Sequence, residues 1–459
     1  MPVELTSVDL DQSSIERYRD LLEDAAWDEL ARSLEELSRT ARGRVIWNLN
    51  SAPRGGGVAE LLGALIPYER GAGIDARWVA IQGSAGFFAF TKRLHRLLHG
   101  AGAGGSRVKD EERREYESTL AENAEAVRRQ AHAGDVVILH DPQVAGLAPA
   151  LVRHGCRVVW RCHIGVDRPN AAARRAWDFL RPYVSAAHAV VFSRRAYVWE
   201  GLEPEKTEVI APCIDAFSPK NRELDAEAVA ATLRRVGVPD LDTPFVLQVS
   251  RWDPLKDPIG VLEGFASHIA PHAEARLVLA GPEIKSVADD PEEPEVWREL
   301  EQRCRRLPRA VRGCIHLAQL SMDDEAENAL MVNALQRRAQ VVVQKSLAEG
   351  FGLTVAEAMW KARPMVASRV GGIEDQIEDG RSGLLIDDPR DLEAFGRAVV
   401  GLLREQADDR RPAPRPGRRP APGRRGQTPD HPPVPGPSTP GRAGPIAAPP
   451  ATLKVSAQL

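Results

Sequence analysis

From Ile15 to Arg42, the residues Leu21, Leu22, Ala25, Ala26, Leu30, Leu34 and Leu37 recur at spacings of three and four among polar positions. Such a stripe predicts one or two amphipathic helices. After Arg44 the period changes. Short apolar runs of strand length, Val45–Leu49, Ala76–Ile81, Asp135–Leu139, Arg157–Trp160 and Ala189–Phe192, alternate with longer helical stretches. Continuous apolar runs belong to strands buried on both faces, and strands separated by helices pair in parallel as βαβ units. A polar stretch from Ser218 to Asp242 interrupts this series, and a second follows: Phe245–Val249, Ala275–Ala280, Gly313–Leu317, Val341–Val343 and Pro364–Ala367. Two such series predict an α/β protein of two doubly wound, Rossmann-like domains facing across a central cleft, with ligands at the carboxyl ends of strands from both. The expected divisions are a helical segment at 1–42, a first domain at 43–217, a second at 218–408 and a tail at 409–459. No short sequence repeat relates the halves, so their likeness is architectural.

The tail differs in kind. Residues 412–450 hold 14 prolines among Arg and Gly, with almost no large apolar side chain. Burial there cannot offset the entropy cost of ordering, so disorder with at most polyproline-II character is expected. From Asp409 onward nine Lys or Arg stand against two Asp or Glu, while the whole 459-residue chain carries −4, so the body before the tail is −11. An acidic body argues against nucleic acid as its partner. The five cysteines, Cys156, Cys162, Cys213, Cys304 and Cys314, form no C-x-x-C pair and lack the His spacing of a zinc site. A disulfide framework and a structural metal are disfavoured, and a reducing compartment fits. Met1 to Glu16 is polar and acidic where a signal peptide is basic and then apolar, and no apolar run approaches membrane-spanning length, so a cytoplasmic protein without membrane contacts is expected.

Candidate chemistry concentrates where strands end. Ser346–Trp360 follows the run Val341–Val343, turns on Gly350 and Gly352, and opens a helix. The glycines let the backbone approach a ligand closely, and the free N–H groups of Leu353 and Thr354 form an anion site. These residues also have a local reading: Thr354-Val355-Ala356-Glu357 is a capping box, in which Thr354 caps the helix and Glu357 reaches back to its backbone. A cap does not require a carboxylate at Glu349 on the preceding turn, and that residue favours ligand binding. Arg251 and Lys256 share one loop after Phe245–Val249. They either grip a pyrophosphate, Arg251 as a fork and Lys256 as a point charge, or lie in a solvated loop where Lys256 pairs with Asp253 or Asp257. In the first series Asn48–Glu60 joins a strand to a helix through Gly55, Gly56 and Gly57, which is neither a Walker A nor a G-x-G-x-x-G loop. His140-Asp141-Pro142-Gln143 and Arg161-Cys162-His163 put polar groups at two further strand ends, with His140 read as structural.

The segment from Glu349 to Glu357 resembles the E-x7-E signature of retaining glycosyltransferases with the GT-B fold, in the large family that includes sucrose and trehalose synthases. The resemblance implies that Glu349 contacts the donor hexose and Glu357 the nucleotide ribose. It further implies that Gly350, Phe351, Gly352, Leu353 and Thr354 line the donor, Arg251 and Lys256 hold its phosphates, and Gly56 and Gly57 close over the leaving group. His163 would stand beside the transferred sugar. The runs Trp160–His163, Gly55–Glu60, His140–Gln143, Gln344–Ser346 and Leu353–Trp360 together are similar to the trehalose glycosyltransferring synthases. These make trehalose reversibly from a nucleotide-diphosphate glucose and glucose, and Asn48, Asp141, Gln143 and Arg161 would then face the acceptor. The similarity covers roughly residues 15–405, and it ends at the Pro/Arg-rich tail, where the family continues into helices that cross back onto the first domain.

A double displacement needs a nucleophilic carboxylate and an acid/base pair, and no such pair is identifiable. The resemblance implies front-face attack instead, with a leaving-phosphate oxygen taking the acceptor's proton and Arg251, Lys256 and helix N-termini stabilising the departing charge. It implies no tightly bound cofactor and no metal ligands, with Mg2+ at most a stimulant. The partners are small molecules: a nucleotide-glucose such as UDP-glucose or ADP-glucose, glucose and trehalose, with a homodimer left open. Three alternatives remain at this stage: a trehalose phosphorylase, a glycosyltransferase with another acceptor, and a scaffold or nucleic-acid tether resting on the basic tail alone.

Overall fold

The computed structural model describes residues 3–101, 107–238, 242–284 and 293–409. Its strands are β1 Thr6–Val8, β2 Ile46–Asn50, β3 Ala76–Ala80, β4 Val136–His140, β5 Arg157–Cys162, β6 Ala189–Phe192, β7 Thr207–Val209, β8 Phe245–Val249, β9 Arg276–Pro282, β10 Ile315–Leu320, β11 Val341–Gln344, β12 Met365–Ser368 and β13 Leu384–Ile386. They form two sheets, β1-β3-β2-β4-β5-β6-β7 and β10-β9-β8-β11-β12-β13. Among the described strands only β1 runs antiparallel, forming the edge of the first sheet beside β3. All ten expected runs are strands. The three that the pattern does not announce, β1, β7 and β13, are three-residue edge strands, too short to establish a period.

Both faces of each sheet are covered, as the continuous apolar runs require. In β2 the side chains of Trp47 and Leu49 enter one cluster with Phe87, Tyr116 and Trp160, while Ile46 enters another with Leu34, Leu37 and Leu62. In β8, Phe245 and Leu247 pack on one side and Val246 on the other. The N-terminal stripe becomes a 3-10 turn, Ile15–Tyr18, and a helix, Asp24–Thr40, whose Leu30, Leu34 and Leu37 are buried against the first sheet. Leu21 falls between them and is 41% exposed, so it is not part of the stripe. The expected disordered tail lies outside the described residues apart from Asp409, which ends the helix Leu392–Asp409.

Strand order reverses at β2 and β4 in the first sheet and at β8 and β11 in the second. Crevices of parallel sheets open at the carboxyl ends of such strands. The loops leaving these four strands, and the neighbouring β5, are the ones that carry the motifs. The domains meet beside them: Tyr197 OH lies 2.9 Å from the carbonyls of Glu349 and Gly350, and Arg194 bonds Asp167 on its own side and Asp375 across the cleft.

Candidate active site

On the second-domain wall the loop after β8 is held from behind. Gln248 Nε2 donates to the Lys256 carbonyl at 2.7 Å, and Asp253 Oδ1 accepts from the Leu255 N–H. Asp257 adopts φ 50°, a left-handed conformation that L-residues occupy only under constraint. Its carboxylate accepts from the Gly260 N–H and is ion-paired with the buried Lys345. The ammonium of Lys256 is thereby aimed across the loop, 2.7 and 2.6 Å from the two oxygens of Glu349. Gln344 Nε2 and Ser346 Oγ also donate to Glu349. Burial pushes the Glu349 carboxyl up, but the Lys256 charge and these donors outweigh it and hold it below the usual range. Lys256 thus pairs with neither Asp253 nor Asp257. Arg251 is 46% exposed, with Asp253 3.5 Å away.

The glycine turn permits a close approach between domains. A Cβ on Gly350 would lie 2.8 Å from the His163 carbonyl, and Gly352, at φ 89°, is the residue before the helix Leu353–Trp360. The Phe351 carbonyl accepts from Gln376. The first-domain glycine loop comes to the same place: a Cβ on Gly57 would sit 3.7 Å from Leu353 Cδ1, while Gly55 and Gly56 take positive φ at the start of the helix Gly56–Gly71.

The capping box does not form. Gly352, not Thr354, occupies the cap position, and Glu357 lies deeper in the helix. Glu357 Oε2 accepts from Gln336 at 2.9 Å, and Oε1 faces Lys220 at 3.4 Å. Burial raises the Glu357 carboxyl, yet Lys220, Lys361 and Gln336 hold it lowered overall.

The first-domain wall has a different balance: one buried cation, Arg161, among groups whose charged forms burial disfavours. His140 Nε2 lies 3.1 Å from Asn48 Oδ1, and its Nδ1 lies 3.0 Å from His163 Nε2, with the two rings stacked. Because Asn48 Oδ1 can only accept, His140 carries its proton on Nε2 and accepts from His163, leaving His163 Nδ1 as a bare acceptor. Burial and the Arg161 charge lower both imidazoles, His140 to about 3, so the pair is neutral. His140 is therefore tied to two candidate site residues, not an isolated core histidine. Asp141, in a left-handed conformation at φ 66°, accepts the His163 N–H at 2.7 Å. Burial pushes the Asp141 carboxyl up to about 7, against the His163 N–H and Arg161. Arg161 is buried and lowered to about 10, first by burial. Asn48 Nδ2 and Gln143 Oε1 are buried with no hydrogen-bond partner among the described residues.

Several polar residues at these walls carry no motif. His95 and His99 sit on the helix Ala85–Leu98 and its C-cap, 4.8 Å apart ring to ring. His99 Cε1 is 4.0 Å from the Cβ position of Gly350. Burial is the main cause of their lowering, and the charges of Arg251 and Lys256 reach His95. Their H-x-x-x-H spacing was the only available signal. Glu69 is fully buried with neither oxygen hydrogen-bonded, and its carboxyl is pushed up to about 7 by burial. Glu60 closes the glycine run Gly55–Glu60 but had no role of its own there, and Lys220 carried no signal. Among the described residues no group of three or more His, Cys, Asp or Glu is placed to hold a metal ion, and no helix is long and apolar enough to cross a membrane.

The profile of the trehalose synthase N-terminal domain matches residues 48–199, and that of glycosyl transferases group 1 matches residues 243–405. A trehalose synthase of Rubrobacter xylanophilus is 40% identical over 366 residues, 78% of this chain and 82% of the relative. The chain belongs to the trehalose synthase family. A second trehalose synthase, from Thermococcus litoralis, is 35% identical over 388 residues, 84% of this chain and 88% of its own. Among solved structures, an α,α-trehalose-phosphate synthase (UDP-forming) of Burkholderia xenovorans in complex with glucose 6-phosphate superposes with a TM-score of 0.61 at 16% identity, covering 79% of this chain and 92% of that one. The fold is therefore GT-B, and this member of the trehalose synthase family is a glycosyltransferase.

Proposed function

We propose that the protein transfers glucose from a nucleotide-diphosphate glucose to free glucose with retention, giving α,α-trehalose, and that it runs the reaction in both directions. The observation that carries this reading is the contrast between the two walls. Lys256 and Arg251 stand where a departing diphosphate would need cations, beside the ionised Glu349 for the hexose hydroxyls. Opposite them, Asn48, Gln143, the neutral His140–His163 pair, Asp141 raised to about 7 and the single cation Arg161 offer hydrogen-bond donors and acceptors without a cluster of cations, which suits a neutral sugar. Glu357, Leu353 and Thr354 would receive the ribose and phosphates, with Gly56, Gly57, Gly350, Phe351 and Gly352 giving the backbone room to approach. Front-face attack fits this site, since Glu349, Glu357 and Asp141 are each held by neighbouring protein groups and none is left as a nucleophile.

Incubation of the purified protein with trehalose and either a nucleoside diphosphate or inorganic phosphate tests the reading. Nucleotide-glucose formed only with the diphosphate is expected. Glucose 1-phosphate formed with phosphate alone would overturn it in favour of a phosphorylase.

A further inference from the structure

Lys220 lies in the polar stretch between the two strand series. Its Nζ is 2.7 Å from Glu60 Oε2 and 3.4 Å from Glu357 Oε1. Glu60 belongs to the helix Gly56–Gly71, which begins at the glycine loop of the first domain, and Glu357 to the helix Leu353–Trp360 of the second. One ammonium thus bridges two carboxylates across the cleft, where Gly57 already faces Leu353. The three side chains are 21, 39 and 3% exposed for Lys220, Glu60 and Glu357, so water screens the bridge weakly on the Glu357 side.

The surroundings make Lys220 hard to replace. Gln336 already occupies Glu357 Oε2, so Lys220 is the partner of Oε1, whose further lone pairs can accept from a ligand. The other nearby cation, Lys361, directs its ammonium at Asn221 Oδ1 and at the Glu357 backbone carbonyl, not at the carboxylate. Burial lowers Lys361 to about 7, in spite of Glu357, so it is a weak counter-charge. Lys220 is raised despite burial because Glu357 and Glu60 both favour its charged form. On the loop side, nothing lies within 4 Å of the Cβ positions of Gly55 and Gly56, so packing does little to place that turn.

The geometry points to Lys220 as a positioning residue that keeps Glu357 a charged acceptor for the two ribose hydroxyls of the donor and, through Glu60, ties the glycine loop to that contact. This rests on the donor reading above. Removing the ammonium would leave Glu60, already raised by burial and by Glu357, facing Glu357 beside a weak counter-charge, and two such carboxylates take up a proton between them. A protonated Glu357 is a poor acceptor for hydroxyls, so the loss should fall on ribose recognition.

Calorimetric titration of the full chain with UDP and ADP and with their 2′,3′-dideoxy counterparts reads this directly. Hydrogen bonds to an ionised acceptor are strong enough that the wild type should prefer the better ribonucleotide by about 30-fold or more. In Lys220→Met and in Lys220→Gln that preference should fall below about fivefold, while affinity for the dideoxy compound changes by less than about threefold. Glu60→Gln should keep the preference and weaken both nucleotides alike, since it loosens only the loop. Two independent Lys220 variants, each checked by thermal unfolding, separate loss of recognition from loss of folding. A preference that survives in Lys220→Met, with both nucleotides weakened equally, would overturn the proposal and leave Lys220 a structural ion pair. A wild type that binds nucleotides but lacks the preference would also remove Glu357 from the ribose, whereas a protein that binds no nucleotide would overturn the donor reading itself.

Discussion

The second-domain wall of the cleft is built of charges that answer one another: Glu349 with Lys256, Glu357 with Lys220, Asp257 with Lys345. The first-domain side buries a comparable set of titratable groups and shifts most of them toward their neutral forms, with Arg161 left as a cation. His140 and His163 are lowered, and Asp141 and Glu69 are raised to about 7. The same physical cost, desolvation, acts on both walls. It is overcome by ion pairing on one side and met by a change of protonation state on the other. A wall that must stabilise a leaving diphosphate needs its charges present before the reaction, and a wall that orients a neutral sugar needs donors and acceptors without a cluster of cations.

The largest effect should follow from breaking an ion pair on the ionic wall. Lys256→Ala removes a cation expected on the leaving group and leaves Glu349 buried without its counter-charge. We expect kcat/KM to fall about 1000-fold, about 4 kcal/mol, together with a marked drop in Tm. Arg251→Ala, at a half-exposed position, should lose about 30-fold in kcat/KM with Tm nearly unchanged. The double variant Lys256→Met with Glu349→Gln should recover most of the Tm and none of the activity. If Lys256→Ala is as stable as the wild type, the pair does not hold the loop in the way its geometry implies.

The first-domain side makes the opposite prediction, with stability as the readout. Glu69 is raised to about 7 in the folded chain, so the folded state holds its proton more tightly than the unfolded one. Its contribution to stability is present at acidic pH and is lost as pH rises from the ordinary carboxylate range through about 7, a swing of about 3 kcal/mol. Glu69→Gln cannot ionise and should flatten that loss. Its Tm relative to wild type should rise between pH 5 and pH 8, and a difference independent of pH would mean that Glu69 is ionised in the fold.

These two walls were not equally legible. Every loop that the sequence singled out does leave a switch-point strand or its neighbour, because continuous apolar runs and glycine turns are local signals that burial enforces. The loops of the second-domain wall carried motifs; most of the partners that set their charge did not. Lys345 sits within the run Gln344–Ser346 but with no sign that it pairs with Asp257, and Lys220 and Gln336 reach Glu357 only through tertiary packing from stretches with no pattern of their own. His140 looked structural in isolation because its partners Asn48 and His163 are 92 and 23 residues away. A mid-sized test of that tertiary assignment is Glu357→Gln. With no cap to serve, the side chain should show its effect in binding: KM for nucleotide-glucose up about tenfold and Tm within about 2 °C of wild type. An unchanged KM would leave its burial without a ligand to explain it.

The smallest effect concerns the local motif that tertiary structure displaced. If Thr354 capped its helix, replacing it with Ala would cost about 1 kcal/mol, the usual loss for a Ser or Thr at that position. In the fold the helix starts two residues earlier, at Leu353 rather than Val355. Gly352 supplies the left-handed entry at φ 89°, and the Val355 N–H closes onto the Gly352 carbonyl at 2.9 Å. Glu357 is turned away from the helix start toward Gln336 and Lys220, so neither half of the reciprocal box exists. Thr354→Ala should therefore cost less than about 0.5 kcal/mol in denaturant unfolding, within the range of substitutions that break no cap, network or core contact. A loss near 1 kcal/mol would restore the capping box and turn Glu357 back toward the helix start. The ribose contact, the Lys220 bridge and the ionic character of the second-domain wall would then all need another carboxylate.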